Sequence, residues 1–268
     1  MKKFSIITGA SGLLGEQHAF ALAEAGFELI LTDIDQKNLN KVQKKIKKKF
    51  SSRRIISYPM DITNEEEIIK MKKFVKENRI KIFVLVNNAA SNPKMKKIDM
   101  RSITGAIENY PLELLRKEID INLISSFSMI KHFGPEMARN KKGSIINIGS
   151  DLSINAPDQA VYSKRDTIKK VKNFKPIGYS LSKFGIIGLT KYVATYWAHK
   201  NVRCNALVPG AVKNNQPNYL IKNVSKRIPL GRWAEKDEYK KGLVFLANDD
   251  SSYMTGQLLI MDGGRSSW

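Results

Sequence analysis

Short runs of consecutive apolar residues alternate along this chain with longer segments in which apolar positions return every three or four residues. The short runs, residues 4–8, 28–32, 55–58, 81–86, 144–149, 202–208 and 257–261, read as buried strands. The periodic segments read as helices: residues 16–25, closed by Gly26; a stretch within 37–54; a helix capped by Asn64; and residues 111–138, 177–199 and 235–247. Glu65, Glu66 and Glu67 follow Asn64, where carboxylates complement a helix N-terminus. Several strands are apolar throughout rather than alternating, so both of their faces are expected to be covered. Strands alternating with helices then predict an α/β fold, a doubly wound, seven-stranded parallel sheet with helices on both faces. No repeat, low-complexity tract or Pro/Gly/Ser-rich linker divides the sequence, which predicts one domain over 1–268.

Composition changes this picture in one respect. The formal charge is +21 and the pI near 9.9, which raises nucleic acid or another polyanion as a partner. The densest stretch, residues 37–54, holds nine basic and no acidic residues, but Val42, Ile46 and Phe50 recur within it at helical spacing. An amphipathic helix with a lysine-rich solvent face accounts for that pattern. No apolar run is long enough to span a membrane. The apolar start at Phe4 ends at Thr8 and Gly9, so no targeting segment is read there. The single cysteine, Cys204, fits a reducing cytoplasm, and scattered His18, His132 and His199 form no zinc-type cluster, so no metal is expected.

Chemistry enters at two places. Gly9, Gly12 and Gly15 lie between a strand and a helix, where glycines let the backbone approach a pyrophosphate and the helix N-terminus faces it. Asp33 ends the second strand 18 positions beyond Gly15, suited to the adenosine ribose hydroxyls. Its charge would repel a 2′-phosphate, which predicts NAD(H) in preference to NADP(H). Tyr179 and Lys183 are four apart on a helix, roughly 6 Å of rise, so they share one face. A neighbouring ammonium favours phenolate, and the expectation is a Tyr179 pKa below the usual value, suited to passing a proton to or from an alcohol oxygen.

These elements occur in an order that resembles the short-chain dehydrogenase/reductase family, of Rossmann type. The likeness runs from Phe4 to Gly264 through the motifs Thr8 to Gly15, Asn87-Asn88-Ala89-Ala90, Asn122, Ser150 after Asn147-Ile148-Gly149, Tyr179 to Lys183, Val202 to Gly210, and Thr255 to Gly264. The resemblance implies that Tyr179 is the acid/base and that Lys183 lowers its pKa and binds the nicotinamide ribose. It further implies that Ser150 hydrogen-bonds the substrate oxygen and that Asn122 holds a proton-relaying water. It assigns the cofactor to Gly9, Ser11, Gly12, Leu14 and Gly15, to Asp33, to Asp61 and Ile62 around adenine, to Asn88 and Ala89, to Tyr179 and Lys183, and to Pro209, Gly210 and Val212 beside nicotinamide. It also implies a homodimer or homotetramer.

Departures from the family pattern carry the substrate expectations. Asn214 stands where the family often has threonine. The gap from Ser150 to Tyr179 is 29 residues, far longer than the family's usual spacing. Tyr162 sits at the ordinary distance but is followed four residues on by Asp166, not lysine, and an aspartate would raise its pKa. The inserted residues, about 159–175, contain Lys164, Arg165, Lys169, Lys170, Lys172 and Lys175, and the segment after Asn88 contains Lys94, Lys96, Lys97 and Arg101. Both leave the carboxyl ends of strands, the ligand side of such a sheet, which predicts an anionic substrate such as a sugar phosphate or nucleotide sugar. The segments around Ser150 to Pro157, Lys175 to Ser180 and Thr195 to Ala198 resemble oxidoreductases of bacterial surface-glycan and flagellin-sugar modification. The expected activity is therefore NAD-dependent interconversion of an alcohol and a ketone. A 3-oxoacyl-carrier-protein reductase, with an acidic protein partner, and a non-catalytic nucleic-acid-binding relative stand as alternatives. The C-terminal Arg265 to Trp268 is expected either to pack at a subunit interface or to fray.

Overall fold

The computed structural model describes residues 3–92, 105–170 and 173–268. Strands β1 (Phe4–Thr8), β2 (Glu28–Thr32), β3 (Ile55–Ser57), β4 (Ile82–Asn87), β5 (Gly143–Ile148), β6 (Val202–Pro209) and β7 (Leu258–Met261) form one sheet in the order β3-β2-β1-β4-β5-β6-β7. Every pairing is parallel. Successive strand residues point to opposite faces and both faces are covered, which is why the sequence runs lack alternation. On one face Ile6, Ile30, Leu85 and Ile145 pack with Ile68, Met71, Met129, Phe133 and Val193. On the other, Ile7, Leu29, Leu31, Val86 and Ile146 pack with Leu22, Val42, Ile46, Leu243 and Leu246.

The helices are α1 (Leu13–Glu24), α2 (Gln36–Lys49), α3 (Glu65–Glu77), α4 (Leu112–Ile119), α5 (Ser125–Arg139), α6 (Ile177–Trp197), α7 (Asn218–Ser225) and α8 (Lys240–Ala247). The basic α2 is amphipathic as expected. Asp35 caps it by accepting from the Asn38 N–H, and Leu39, Val42 and Ile46 are buried while the lysines face outward. Asn64 caps α3 by accepting from the Glu66 N–H.

Three elements differ from the sequence expectation. The helix expected over 111–138 is α4 and α5 joined by a π turn, Asp120–Ile124, with Asn122 at its centre. Such a turn interrupts the ordinary ladder and is common at functional sites. The helix expected over 235–247 begins only at Lys240, because Glu238 accepts from the Glu235 N–H and from Arg232 and holds that segment as a turn. Helix α7, eight residues long, is not among the expected elements; tertiary contacts hold it.

Those contacts come from the insertion. Val161, Val224, Ile228 and Trp233 form a small core of their own, with Tyr162, Leu220 and Ile221 against it. Asn223 donates to the carbonyls of Val161 and Ser163, and Arg227 pairs with Asp158 and Asp166. At the base, the Lys175 N–H donates to Gln159 Oε1 at 2.9 Å and closes the loop. Residues 159–175 and α7 thus support each other beside the carboxyl ends of β5 and β6. Lys94, Lys96, Lys97, Arg101 and Lys172, and the side chain of Lys170, lie outside the described residues.

Candidate active site

A cleft of about 1680 Å³ runs along the carboxyl ends of β1 to β6. It is lined by residues from the turns that follow these strands: Gly9, Asp33, Asp61, Asn88, Ser150 and Gly210. Its centre is the switch point between β1 and β4, where the strand order reverses and where open parallel sheets bind ligands. Gly9 has φ +62°, and a Cβ there would meet Ala89 Cα at 2.7 Å, so only glycine lets the β1 and β4 turns touch. Thr8 Oγ1 accepts from the Asn88 and Ala89 N–H groups, and Asn88 Nδ2 donates to the carbonyls of Thr8 and Gly9.

Gly12 is the N-cap of α1 and has no side chain to satisfy the first helical N–H groups, which face the cleft. Asp33 accepts from the Ser11 N–H at 2.9 Å and the Asp35 N–H at 3.0 Å, which fixes its carboxylate at the end of β2. Asp61 is fixed in the same way by Thr63, and Ile62 lies beside it. A free helix N-terminus followed by a carboxylate one strand over fits a dinucleotide, pyrophosphate on the former and ribose on the latter. Ser11, Leu14, Pro209 and Val212 also line the cleft, as does Asn214, whose N–H donates to Gln216 Oε1.

At the β5 and β6 end, α6 presents Tyr179 and Lys183 to the cleft, facing Ser150. A buried polar ladder holds α6 in register: Asn87 donates to Asn147 and Asn147 to Thr190. Tyr179 faces Ser150, whose Oγ donates to Asp151 Oδ1 at 2.9 Å. Lys183 is buried, its Nζ donating to the Ile148 carbonyl at 2.6 Å and lying 5.8 Å from the Tyr179 ring centroid. The expected downward shift of Tyr179 is corrected here. Burial pushes its phenol up to about 12, the Ser150 hydroxyl opposes this and Asp151 adds to it. Burial also brings Lys183 down to about 8, assisted by the repulsion of Lys175.

Asn122 is set behind the cleft wall. Its Oδ1 accepts from the Ser91 N–H, and its Nδ2 donates to the Ser91 carbonyl and to Ser182 Oγ. The side chain therefore latches the segment after β4 to the catalytic helix, and its amide is fully engaged in doing so.

Three residues near Tyr179 escaped the sequence reading as site residues. Lys175 Nζ sits 4.1 Å from the Tyr179 ring centroid and donates to Asn92 Oδ1 at 2.7 Å. Asp151 links Ser150 to the C-terminus through Arg265, whose Nη1 donates to Asp151 Oδ2 at 2.5 Å. Arg265–Ser267 is a turn held to the site through Arg265, while Trp268 beyond it is exposed. Tyr162 does line the cleft, with its pKa raised, but burial is the main cause, and Asp166 points away to Arg227 and Lys226. Of the described inserted cations, Lys164, Arg165 and Lys169 face solvent and Lys175 lines the cleft.

Residues 9–266 match a family model described as enoyl-(acyl carrier protein) reductase, one of the short-chain dehydrogenase groups. The chain is 31% identical to a 3-oxoacyl-(acyl-carrier-protein) reductase of Buchnera aphidicola, over 98% of this chain and 97% of that protein. It is 30% identical to the 2-dehydro-3-deoxy-D-gluconate 5-dehydrogenase of Bacillus subtilis, over 98% of this chain and 94% of that one. Among solved structures it superposes on an NAD+-bound xylitol dehydrogenase with a TM-score of 0.83 and 26% identity, over 98% of both chains. With the sheet order, the glycine turn and the Ser150–Tyr179–Lys183 cluster in one cleft, these matches establish that the chain belongs to the short-chain dehydrogenase/reductase family of oxidoreductases.

Proposed function

We propose that this protein interconverts an alcohol and a ketone on an anionic sugar derivative, using NAD(H), with Ser150, Tyr179 and Lys183 as its catalytic residues. The observation that carries the reading is Tyr179 facing Ser150 beside buried Lys183, at one end of a cleft whose other end fits a dinucleotide. The nicotinamide supplies or accepts the hydride. The substrate oxygen sits on the Tyr179 and Ser150 hydroxyls, Tyr179 gives or takes the proton, and Lys183 holds the ribose and the local positive charge. Asn122 serves this site by fixing α6. The preference for NAD(H) rests on Asp33, whose fixed carboxylate stands where a 2′-phosphate would be repelled.

An anionic sugar is favoured by the cations at the substrate end, Arg116, Lys117 and Lys175, and by the sugar-acid dehydrogenase among the relatives. The competing reading, a carrier-protein reductase, is favoured by the Buchnera relative and by the charge of +21. One assay separates them. NADH and NADPH turnover are followed on phosphorylated, carboxylated, nucleotide-linked and neutral sugars and on a 3-oxoacyl thioester. The expected result is turnover of a charged sugar and NADH binding at least about tenfold tighter than NADPH at moderate salt. Turnover confined to the thioester, or to neutral polyols, would overturn the substrate assignment, and tighter NADPH binding the cofactor assignment.

The protein is also proposed to self-associate. Leu181, Phe184, Tyr192 and Tyr196 form an exposed stripe along α6, next to exposed Ile124 and Phe127, and Gly188 within it has open space above it. A contiguous apolar face of this kind marks an interface, and a second copy covers it symmetrically. Sedimentation velocity at micromolar protein is expected to give a dimer or tetramer of the 30.3 kDa chain, and Leu181→Glu with Phe184→Glu a monomer. A monomeric wild-type protein would remove this inference. Among the described residues no helix is long and apolar enough to cross a membrane, and Cys204 is buried as a free thiol, in keeping with the proposed cytoplasmic location.

A further inference from the structure

We propose that Lys175 is the subsite for the carboxylate or phosphate of the substrate, an anion-binding cation delivered into the active site by the insertion at 159–175. The inference rests on the reading that the substrate is anionic and says where its charge is held. Lys175 Nζ lies 4.1 Å above the ring of Tyr179, on which the reacting oxygen sits. A group bound to Lys175 is therefore carried on the part of the substrate next to the reacting centre.

The charge of Lys175 is not cancelled by its surroundings. Two carboxyl groups approach it, Asp151 and Glu118. Asp151 is already occupied by Arg265, the Ser150 hydroxyl and the Leu152 N–H. Glu118 is buried on α4 and accepts from the Tyr110 hydroxyl at 2.6 Å, and burial raises its pKa toward the neutral acid. The ammonium has three protons, of which Asn92 Oδ1 takes one; among the described residues no second acceptor is hydrogen-bonded to it. An ammonium with donors to spare at the cleft wall is open to pairing, and a compact anion supplies it. Burial brings Lys175 down to about 8, a shift that an anion would reverse.

The insertion is built to hold this residue. Its base is closed by the Lys175 N–H on Gln159, its middle is pinned to α7 through Asn223 and Arg227, and Gly105 packs against the Phe174 carbonyl beside it. Lys183 does a different job, being buried against the Ile148 carbonyl.

Malonate and, separately, inorganic phosphate titrated into the protein–NADH complex by calorimetry test the proposal. At least one is expected to bind in the millimolar range or tighter, with Lys175→Met weakening it about tenfold or more and Lys175→Arg recovering most of the loss. NADH affinity, measured on the same samples, reports that the Met variant is folded. Binding of malonate alone assigns a carboxylate substrate, and of phosphate alone a phosphate ester. Equal anion affinity in wild type and Lys175→Met, or no binding of either anion to wild type, overturns the subsite. Turnover of neutral sugars alone in the substrate assay defeats the anionic-substrate reading separately, whatever malonate does.

Discussion

Replacing Tyr179 by Phe is expected to lower kcat by about three orders of magnitude while leaving NADH affinity within about threefold of wild type. The change removes one oxygen and keeps the ring, so the Lys175 ammonium above it and the packing of α6 are retained. What is lost is the hydroxyl proposed to exchange a proton with the substrate oxygen. Ser150 beside it, held through Asp151 to Arg265, is placed to share the substrate oxygen. The pH dependence carries the same assignment. A phenol held up at about 12 by burial is protonated throughout the neutral range. In the ketone-reducing direction it is a ready donor, so the rate should be flat through neutral pH and fall only in alkali. Alcohol oxidation needs the phenolate, so its rate should climb with pH over the same range. Stopped-flow and steady-state rates in both directions check this, and a Phe variant that keeps a tenth of wild-type turnover would sink the assignment.

The fold was legible in the sequence because its signals are local. A strand such as β1 is apolar at every position since Ile6 and Ile7 face separate cores, and the turn from Gly9 to Gly15 needs glycine for reasons that act over a few residues. Helix α7 was not legible, because what stabilises it is the insertion, some sixty residues earlier in the chain. The site divides in the same way. Ser150, Tyr179 and Lys183 carry a family pattern, whereas Arg265 reaches Asp151 across 114 residues, a contact that no spacing rule anticipates. The spacing of Tyr179 and Lys183 placed them correctly on one face, but the pKa inferred from it was of the wrong sign. Sequence distance reports that a cation is near; it does not report that the phenol is buried or that Lys183 is turned to the Ile148 carbonyl. Tyr162 illustrates the complementary case: it lines the cleft and burial raises its pKa as it does that of Tyr179, so what sets it apart is the absence of a lysine partner, Asp166 being spent on α7.

Gly15→Ala is expected to remove NADH binding, by about a hundredfold or more, and to lower the melting temperature by about 5–10 °C. A Cβ on Gly15 would lie 2.0 Å from the Gly9 carbonyl oxygen and 2.9 Å from Ala10 Cα, contacts that no rotamer relieves because both partners are backbone. Nor can the carbonyl swing aside, since it accepts from the Gly12 N–H at 3.1 Å and from Asn88 Nδ2 at 3.0 Å. The N-terminus of α1 has to withdraw instead, which turns its free N–H groups away from the pyrophosphate position and loosens the β1–β4 switch point that Asn88 ties together. Overpacking against backbone lies at the upper end of the usual penalty, about 2–3 kcal/mol. Gly12→Ala is the control: its added carbon meets only Gly9 O, at 3.2 Å, so thermal stability should stay near wild type. Calorimetric melting and NADH fluorescence titration of the two variants read both effects. Near-normal NADH affinity in Gly15→Ala would mean that this turn does not cradle the cofactor.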